Sequence, residues 1–240
     1  MKLKLARLLQ SQGMGTRRSC MAWIKAGDVS VNGLVCTNPD ALYDPTNLQF
    51  SIAGETWQYR EKAYIALHKP TGYECSHQPL HHTSVFSLLP APLLERGVQC
   101  VGRLDQDTTG LLLLTDDGGF IHRATSPAKN IGKVYEVRCK HPLDDAQLSS
   151  LLAGVQLRDA SQAVAALACT RIAPDIVQMT IAEGKYHQVK RMLAAVGNRV
   201  EALHRVALGA YVLPADLLPG KWRWMTDDDL RRVEELSGSA

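Results

Sequence analysis

The feature that most limits how this chain can fold is the run Leu111-Leu112-Leu113-Leu114. It is entered from a polar loop, Val101-Gly102-Arg103-Leu104-Asp105-Gln106-Asp107-Thr108-Thr109-Gly110. Four leucines without polar alternation read as a buried strand, so the fold must place a sheet inside a core. At 240 residues and 45% apolar, the chain has the material for one large domain, or for a small domain joined to a larger one. An arginine and two aspartates on a loop held by a buried strand are a common way to build a site. The same aspartates also suit a tight turn in which they satisfy local amides.

Other short apolar segments flank this one: Tyr64–Leu67, Val134–Cys139 and Val177–Ile181 read as strands, with helical stretches at Asp144–Ala153 and His187–Val196. The irregular alternation indicates an α+β domain rather than a regular βαβ winding. In Lys133-Val134-Tyr135-Glu136-Val137, strand periodicity puts Lys133 and Tyr135 on one side. The stretch Glu183-Gly184-Lys185-Tyr186-His187-Gln188-Val189-Lys190-Arg191-Met192 runs from a glycine turn into a helix. There the spacing of His187, Lys190 and Arg191 predicts a shared basic face. Such a face can meet phosphate or pair with a carboxylate, or simply be solvated.

Positive charge is concentrated at the start. Residues 1–35 hold six Lys or Arg (Lys2, Lys4, Arg7, Arg17, Arg18, Lys25) against one acid, Asp28, leaving 21 basic and 23 acidic residues for the rest of the chain. The local pattern is a short helix over Leu3–Gln10, then a second from the cap Thr16 through Ala26 to Gly27. Val29–Cys36 follows as a hairpin around Asn32-Gly33, the type I′ signal. Arg17 and Arg18 sit in a first helical turn, where the dipole disfavours cations, so another role is expected of them. Residues 37–60, with Pro39 and Pro45, read as a connector with a strand at Leu48–Ile52.

Several classes drop out. No run approaches the roughly 18 apolar residues of a membrane helix, and Gln10, Ser11 and Gln12 interrupt any leader-like apolar segment, so a cytoplasmic protein is expected. The six cysteines are widely spaced with no Cys-x-x-Cys pair, as for reduced thiols rather than a zinc ribbon or disulfide framework. His81-His82 lacks a third ligand at a recognisable spacing, so no metal is expected.

The N-terminal order, with Gly15-Thr16-Arg17-Arg18-Ser19 and Ile24-Lys25-Ala26-Gly27-Asp28-Val29-Ser30-Val31-Asn32-Gly33, resembles the small RNA-binding domain first seen in ribosomal protein S-four; Lys4 departs from the acidic residue common there. The remainder resembles the pseudouridine synthases. The matching elements are Lys69-Pro70-Thr71-Gly72, Gly102 to Gly110, Lys133 with Tyr135, and Glu183 to Met192. Thr108 to Gly118, His122-Arg123, Thr125-Ser126-Pro127, Leu203-His204-Arg205 and Pro219-Gly220 look most like the branch acting on bacterial small-subunit rRNA. The segment His77–Thr83 and the triplet Leu208-Gly209-Ala210 depart from the usual pattern.

The resemblance implies an S-four-like RNA-binding domain with its linker over residues 1–58 and a mixed, mainly antiparallel catalytic domain over 59–240. It implies isomerisation of a uridine to pseudouridine in 16S rRNA, at position 516, either on naked RNA or on an assembly intermediate, by a monomer needing no cofactor. Asp105 would be the catalytic carboxylate, Lys190 its ion-pair partner and Tyr135 the ring stacked on the uracil. Arg103 would fill the gap left by the flipped nucleotide, and Asp107 would be structural. Lys133, His187, Gln188, Arg191 and the helix cations Arg17, Arg18 and Lys25 would contact RNA. Action on 23S rRNA, or RNA binding without catalysis in ribosome assembly, are the alternatives.

Overall fold

The computed structural model describes residues 1–158 and 160–235. The chain forms two compact units, residues 1–63 with 89–99, and residues 64–88 with 100–240.

In the first unit, α1 (Leu5–Ser11) and α2 (Arg17–Ala26) carry apolar faces onto a small sheet. The Thr16 hydroxyl accepts the Ser19 amide and Gly27 closes α2 at φ 84°. The strands β1 (Val29–Val31), β2 (Leu34–Val35), β3 (Gln49–Ile52) and β4 (Glu55–Gln58) lie in the order β2-β1-β3-β4, antiparallel throughout. Asn32 (φ 49°) and Gly33 (φ 83°) both adopt the left-handed backbone that a type I′ turn requires. Leu5, Leu8, Leu9, Cys20, Ile24 and Phe50 form the centre of its core.

Three expectations are corrected here. Leu3 and Lys4 are not helical but pair with Tyr43 and Leu42 as a short antiparallel bridge. Residues 49–58 are a complete hairpin rather than a lone strand in a connector. Phe50 faces Trp57 across it, so one apolar side is buried despite the prolines before it. The unit also takes in residues 89–99, a segment assigned above to the second domain. The cause is polar. The Gln12 amide bonds the backbone of Arg60 in both directions (3.0 and 2.9 Å), and Arg96, on the turn after α3 (Ala91–Glu95), donates to the Gln12 side chain and to the Arg60 carbonyl at 3.0 and 2.9 Å.

The second unit is an α+β domain. Its strands are β5 (Tyr64–Lys69), β6 (Thr109–Thr115), β7 (Lys133–Cys139), β8 (Ala168–Ala173), β9 (Ile176–Ile181), β10 (Val200–Leu208) and β11 (Trp222–Trp224), in the order β8-β9-β7-β10-β6-β5-β11. Every neighbouring pair along this path is antiparallel except β6 with β10. The helices are α4 (Gly118–Thr125), α5 (Asp145–Ala153), α6 (Gln188–Ala195) and α7 (Asp227–Glu234).

The leucine run is explained by burial of both faces of β6. Leu111 and Leu113 join a cluster with Phe120 and Ala124 of α4 and Val233 of α7, while Leu112 and Leu114 are equally buried on the other side. Each such leucine contributes roughly 2 kcal/mol of apolar burial, so the loop preceding β6 starts from a rigid base. Among the described residues, no helix is long and apolar enough to cross a membrane.

Candidate active site

The loop before β6 is tied at several points. The Val101 amide donates to the Leu113 carbonyl (2.8 Å), the Thr108 amide to the Asp105 carbonyl (3.1 Å) and the Gly72 amide to the Gln106 carbonyl (2.8 Å). Beneath it lies Lys69, wholly buried, whose ammonium donates to the carbonyls of Pro70, Gln106 and Thr108 at 3.1, 3.2 and 2.9 Å. Burial pulls the Lys69 amine below its ordinary range. The Lys-Pro-x-Gly element, for which no role was read from the sequence, therefore braces the loop.

Asp105 projects from this loop with 28% of its side chain exposed. One carboxylate oxygen lies 3.0 Å from the Lys190 ammonium and the other 3.5 Å from His187 Nε2. Lys190 also donates to both oxygens of Asp107, at 2.7 and 3.0 Å. Burial pulls Lys190 down, but the hydrogen bonds to Asp107 and Asp105 outweigh it and raise the amine above its ordinary value. Burial pushes Asp107 upward, yet the same ammonium holds that carboxyl below the usual range. Lys190 lies in the first turn of α6, where the dipole disfavours a cation; two carboxylates offset that cost. Asp107 is thus part of the charge cluster, a role that motif reading left out.

The start of α6 shapes the rest. His187 precedes it in the left-handed region, φ 48°, an unfavourable conformation for a histidine that turns its ring toward Asp105 and stacks it on Tyr186 at 3.8 Å. Gln188 is buried, and its side-chain oxygen accepts the Lys185 amide at 3.0 Å, so it clamps the turn from inside. Arg191 does not share the face of His187 and Lys190. Its guanidinium turns back to the Tyr186 carbonyl at 2.8 Å and borders a separate cavity with Gln156 and Arg158.

Tyr135, 7% exposed, walls a small cavity with Asp105, Arg103, Thr108 and Leu203. Lys133, on the same face of β7, donates to the carbonyls of Ile131 and Ala182 at 3.1 and 2.7 Å. Arg103 stands exposed at the rim. Arg17, Arg18 and Lys25 belong to the first unit, where they lie exposed along α2 around Met21 and Ala22. Among the described residues no group of three His, Cys, Asp or Glu is arranged to hold a metal.

A carboxylate paired with an ammonium, beside a buried aromatic wall and under an exposed arginine, is equipment for an enzyme that acts on a flat ring. The comparisons define the class. The family model described as RNA pseudouridylate synthase matches residues 63–195. A Bacillus subtilis protein called an uncharacterized RNA pseudouridine synthase is 35% identical, the match covering 97% of this chain and 99% of that one. The ribosomal small subunit pseudouridine synthase A of Yersinia pestis is 38% identical over 93% of this chain and 95% of its own length. A solved pseudouridylate synthase superposes with a TM-score of 0.69 at 32% identity, covering 96% of this chain and 99% of that one. The chain belongs to the RNA pseudouridylate synthase family, and it is an isomerase of uridine in RNA.

Proposed function

We propose that this protein is a monomeric, cytoplasmic enzyme that converts one uridine of bacterial 16S rRNA, at position 516, to pseudouridine. The observation that carries the catalytic part is the Asp105–Lys190 pair at 3.0 Å beside the buried ring of Tyr135. The small-subunit target is supported by the relatives at 38% identity that bear that name in Yersinia pestis and Escherichia coli.

In this reading a base inside a helix is unreachable, so the uridine swings out and Arg103 enters the gap. Tyr135 stacks on the uracil, and its hydroxyl takes the proton from carbon 5 once the base has turned. Lys190 balances the charge of Asp105 as it attacks, with His187 at its second oxygen and Gln188 fixing the turn that carries both. The first unit, residues 1–63 with 89–99, acts as the RNA-holding domain and the second as the catalytic one. Arg17, Arg18 and Lys25 contact phosphates through α2 of the former, as Lys133 and Arg191 contact RNA in the latter. Detaching, rotating and reattaching the base leaves its oxidation level unchanged, so the reaction itself requires no redox cofactor.

The test incubates unmodified 16S rRNA, naked and partly assembled with ribosomal proteins, with wild type or Asp105→Asn and maps pseudouridine by chemical labelling and primer extension. One new site made by wild type, with turnover by the variant down on the order of ten-thousandfold and binding retained, is the expected result. A site appearing only on 23S rRNA would move the target. Modification by Asp105→Asn at the wild-type rate would overturn the catalytic assignment.

A further inference from the structure

Arg205 is the largest of the fully buried side chains, at 2% exposure. Its Nε donates to the Leu111 carbonyl at 2.7 Å, but its Nη2 is buried without a hydrogen-bond partner. It forms no ion pair with a carboxylate among the described residues, and neither does Lys133, itself 9% exposed. The two cations sense each other, since burial and then Arg205 hold the Lys133 amine down to about 8. The other groups that respond to Arg205 are the thiols of Cys75 and Cys100. Two desolvated cations with no carboxylate paired to either are unfavourable, and an orphaned buried donor is rare enough to demand a partner.

Their placement says what that partner is. Arg205 stands opposite Tyr135 in the β7–β10 register, so the two side chains share a face with Lys133. All three line a cavity of about 350 Å³ with Arg103 and Lys185 exposed at its mouth; Glu183 also lines it, engaged by Lys185 at 2.7 Å. A phosphate at the surface is within reach of the exposed Arg103 and Lys185, whereas a group that meets the buried donors has to enter the cavity.

We propose that Arg205, with Lys133, binds the carbonyl oxygens of the target uracil and stabilises the base as an anion after it leaves the sugar. This rests on the uridine-isomerising function given above. When the glycosidic bond breaks, its electron pair stays on the base, whose negative charge spreads from the glycosidic nitrogen onto the carbonyl oxygens. The anomeric carbon is left electron-poor beside the Asp105 carboxylate. In the return step the same pair makes the bond from carbon 5 to the anomeric carbon. The proton lost from carbon 5 is matched by one gained at the former glycosidic nitrogen, so the sum is an isomerisation. Fixed donors aimed where charge develops act on the transition state, and losing one typically lowers the rate by about a hundredfold to a thousandfold.

Two measurements on the full chain test this. In single-turnover reactions on rRNA, Arg205→Met and Lys133→Met are expected to slow the chemical step about a hundredfold with RNA affinity within roughly threefold, while Arg205→Lys stays within about tenfold of wild type. Free uracil is then the probe, its ionisation followed by ultraviolet difference spectra across pH. Wild type is expected to lower the pH of that ionisation by about one unit or more, and Arg205→Met to return it to the value in water. Should Arg205→Met fail to fold, Lys133→Met carries both readouts. An unshifted ionisation in wild type, no uracil binding, or full single-turnover rates in both Met variants would overturn the proposal. A wild type that lowers the ionisation yet modifies no rRNA would instead overturn the functional reading and leave the cation pocket standing.

Discussion

Arg17, Arg18 and Lys25 stand exposed on one helix of the first unit, whereas Lys69, Lys133 and Arg205 lie buried in the sheet of the second. The exposed group keeps its hydration and can release counterions to any phosphate chain, a sequence-independent form of attraction. The buried group has lost its water. Lys69 recovers it from three backbone carbonyls and Lys133 from two, and Arg205 keeps one donor unused. In the reading proposed above, charge on the surface supplies affinity, and charge in the sheet acts on the base.

That contrast can be broken most sharply at Gly110, where β6 meets β10. Its φ is +105°, and a Cβ there would lie 2.3 Å from the Arg205 carbonyl oxygen and 2.7 Å from its amide nitrogen, both backbone atoms that cannot swing aside. Gly110→Ala is expected to lower stability by roughly 4 kcal/mol or more, adding backbone strain to a clash. Because Gly110 is in register with Arg205, pseudouridine formation should fall with it. Urea unfolding followed by circular dichroism checks the first effect and rRNA mapping the second; near-wild-type stability would mean the strands separate more easily than their register indicates.

The next effect is on pH dependence. Lys133 is held down to about 8 against an ordinary 10.5. Below pH 8 the folded and unfolded chains both carry its proton, and burial of the charge opposes folding in full. Between 8 and 10.5 the unfolded chain binds more protons, so this residue's contribution makes stability rise with pH, and above 10.5 the penalty is gone. The urea midpoint of wild type relative to Lys133→Met should therefore climb across that window. A constant difference would place Lys133 in a solvated setting like that of Lys25.

On the surface side, Arg17→Ala, Arg18→Ala and Lys25→Ala together should reduce the slope of log affinity against log salt by roughly 3, about one per cation. Filter binding of 16S rRNA from low to moderate salt measures it. An unchanged slope would remove these residues from the RNA contact, and a specific loss of modification without a change in slope would make them positional.

The same contrast decides what could be read before folding. The Thr16 cap, Gly27, the Asn32-Gly33 turn and the buried strand at Leu111–Leu114 depend on neighbours within a few residues, so local chemistry specifies them. Asp105 and Lys190 are 85 positions apart, and it was the family resemblance rather than spacing that paired them. Asp107 looked structural because nothing local reveals that one ammonium serves both carboxylates. The use of Lys69 and Arg205 was hidden for a physical reason: a buried cation is identified by carbonyls far along the chain, here 39 and 94 positions away. Residues 89–99 were misplaced likewise, since the Gln12–Arg96 bond spans 84 positions.

The smallest effect is the counterpart of the largest. Gly33 also has a positive φ, +83°, yet a Cβ there would meet nothing within 4 Å. Gly33→Ala therefore bears only the intrinsic cost of a left-handed alanine, about 1 kcal/mol. The two substitutions are chemically identical, so their difference isolates what close packing adds in the sheet of the second unit. Each unit holds its own tryptophan pair, Trp23 and Trp57 in the first, Trp222 and Trp224 in the second, so replacing one pair by phenylalanine lets fluorescence report a single unit's unfolding. Gly33→Ala should shift the first unit's urea midpoint slightly, leave the second unit's in place and leave rRNA modification intact. A loss as large as that of Gly110→Ala would show the hairpin tip to be packed rather than open. The salt-dependent, position-tolerant role given to the first unit would then have to give way to one as geometrically demanding as that of the sheet.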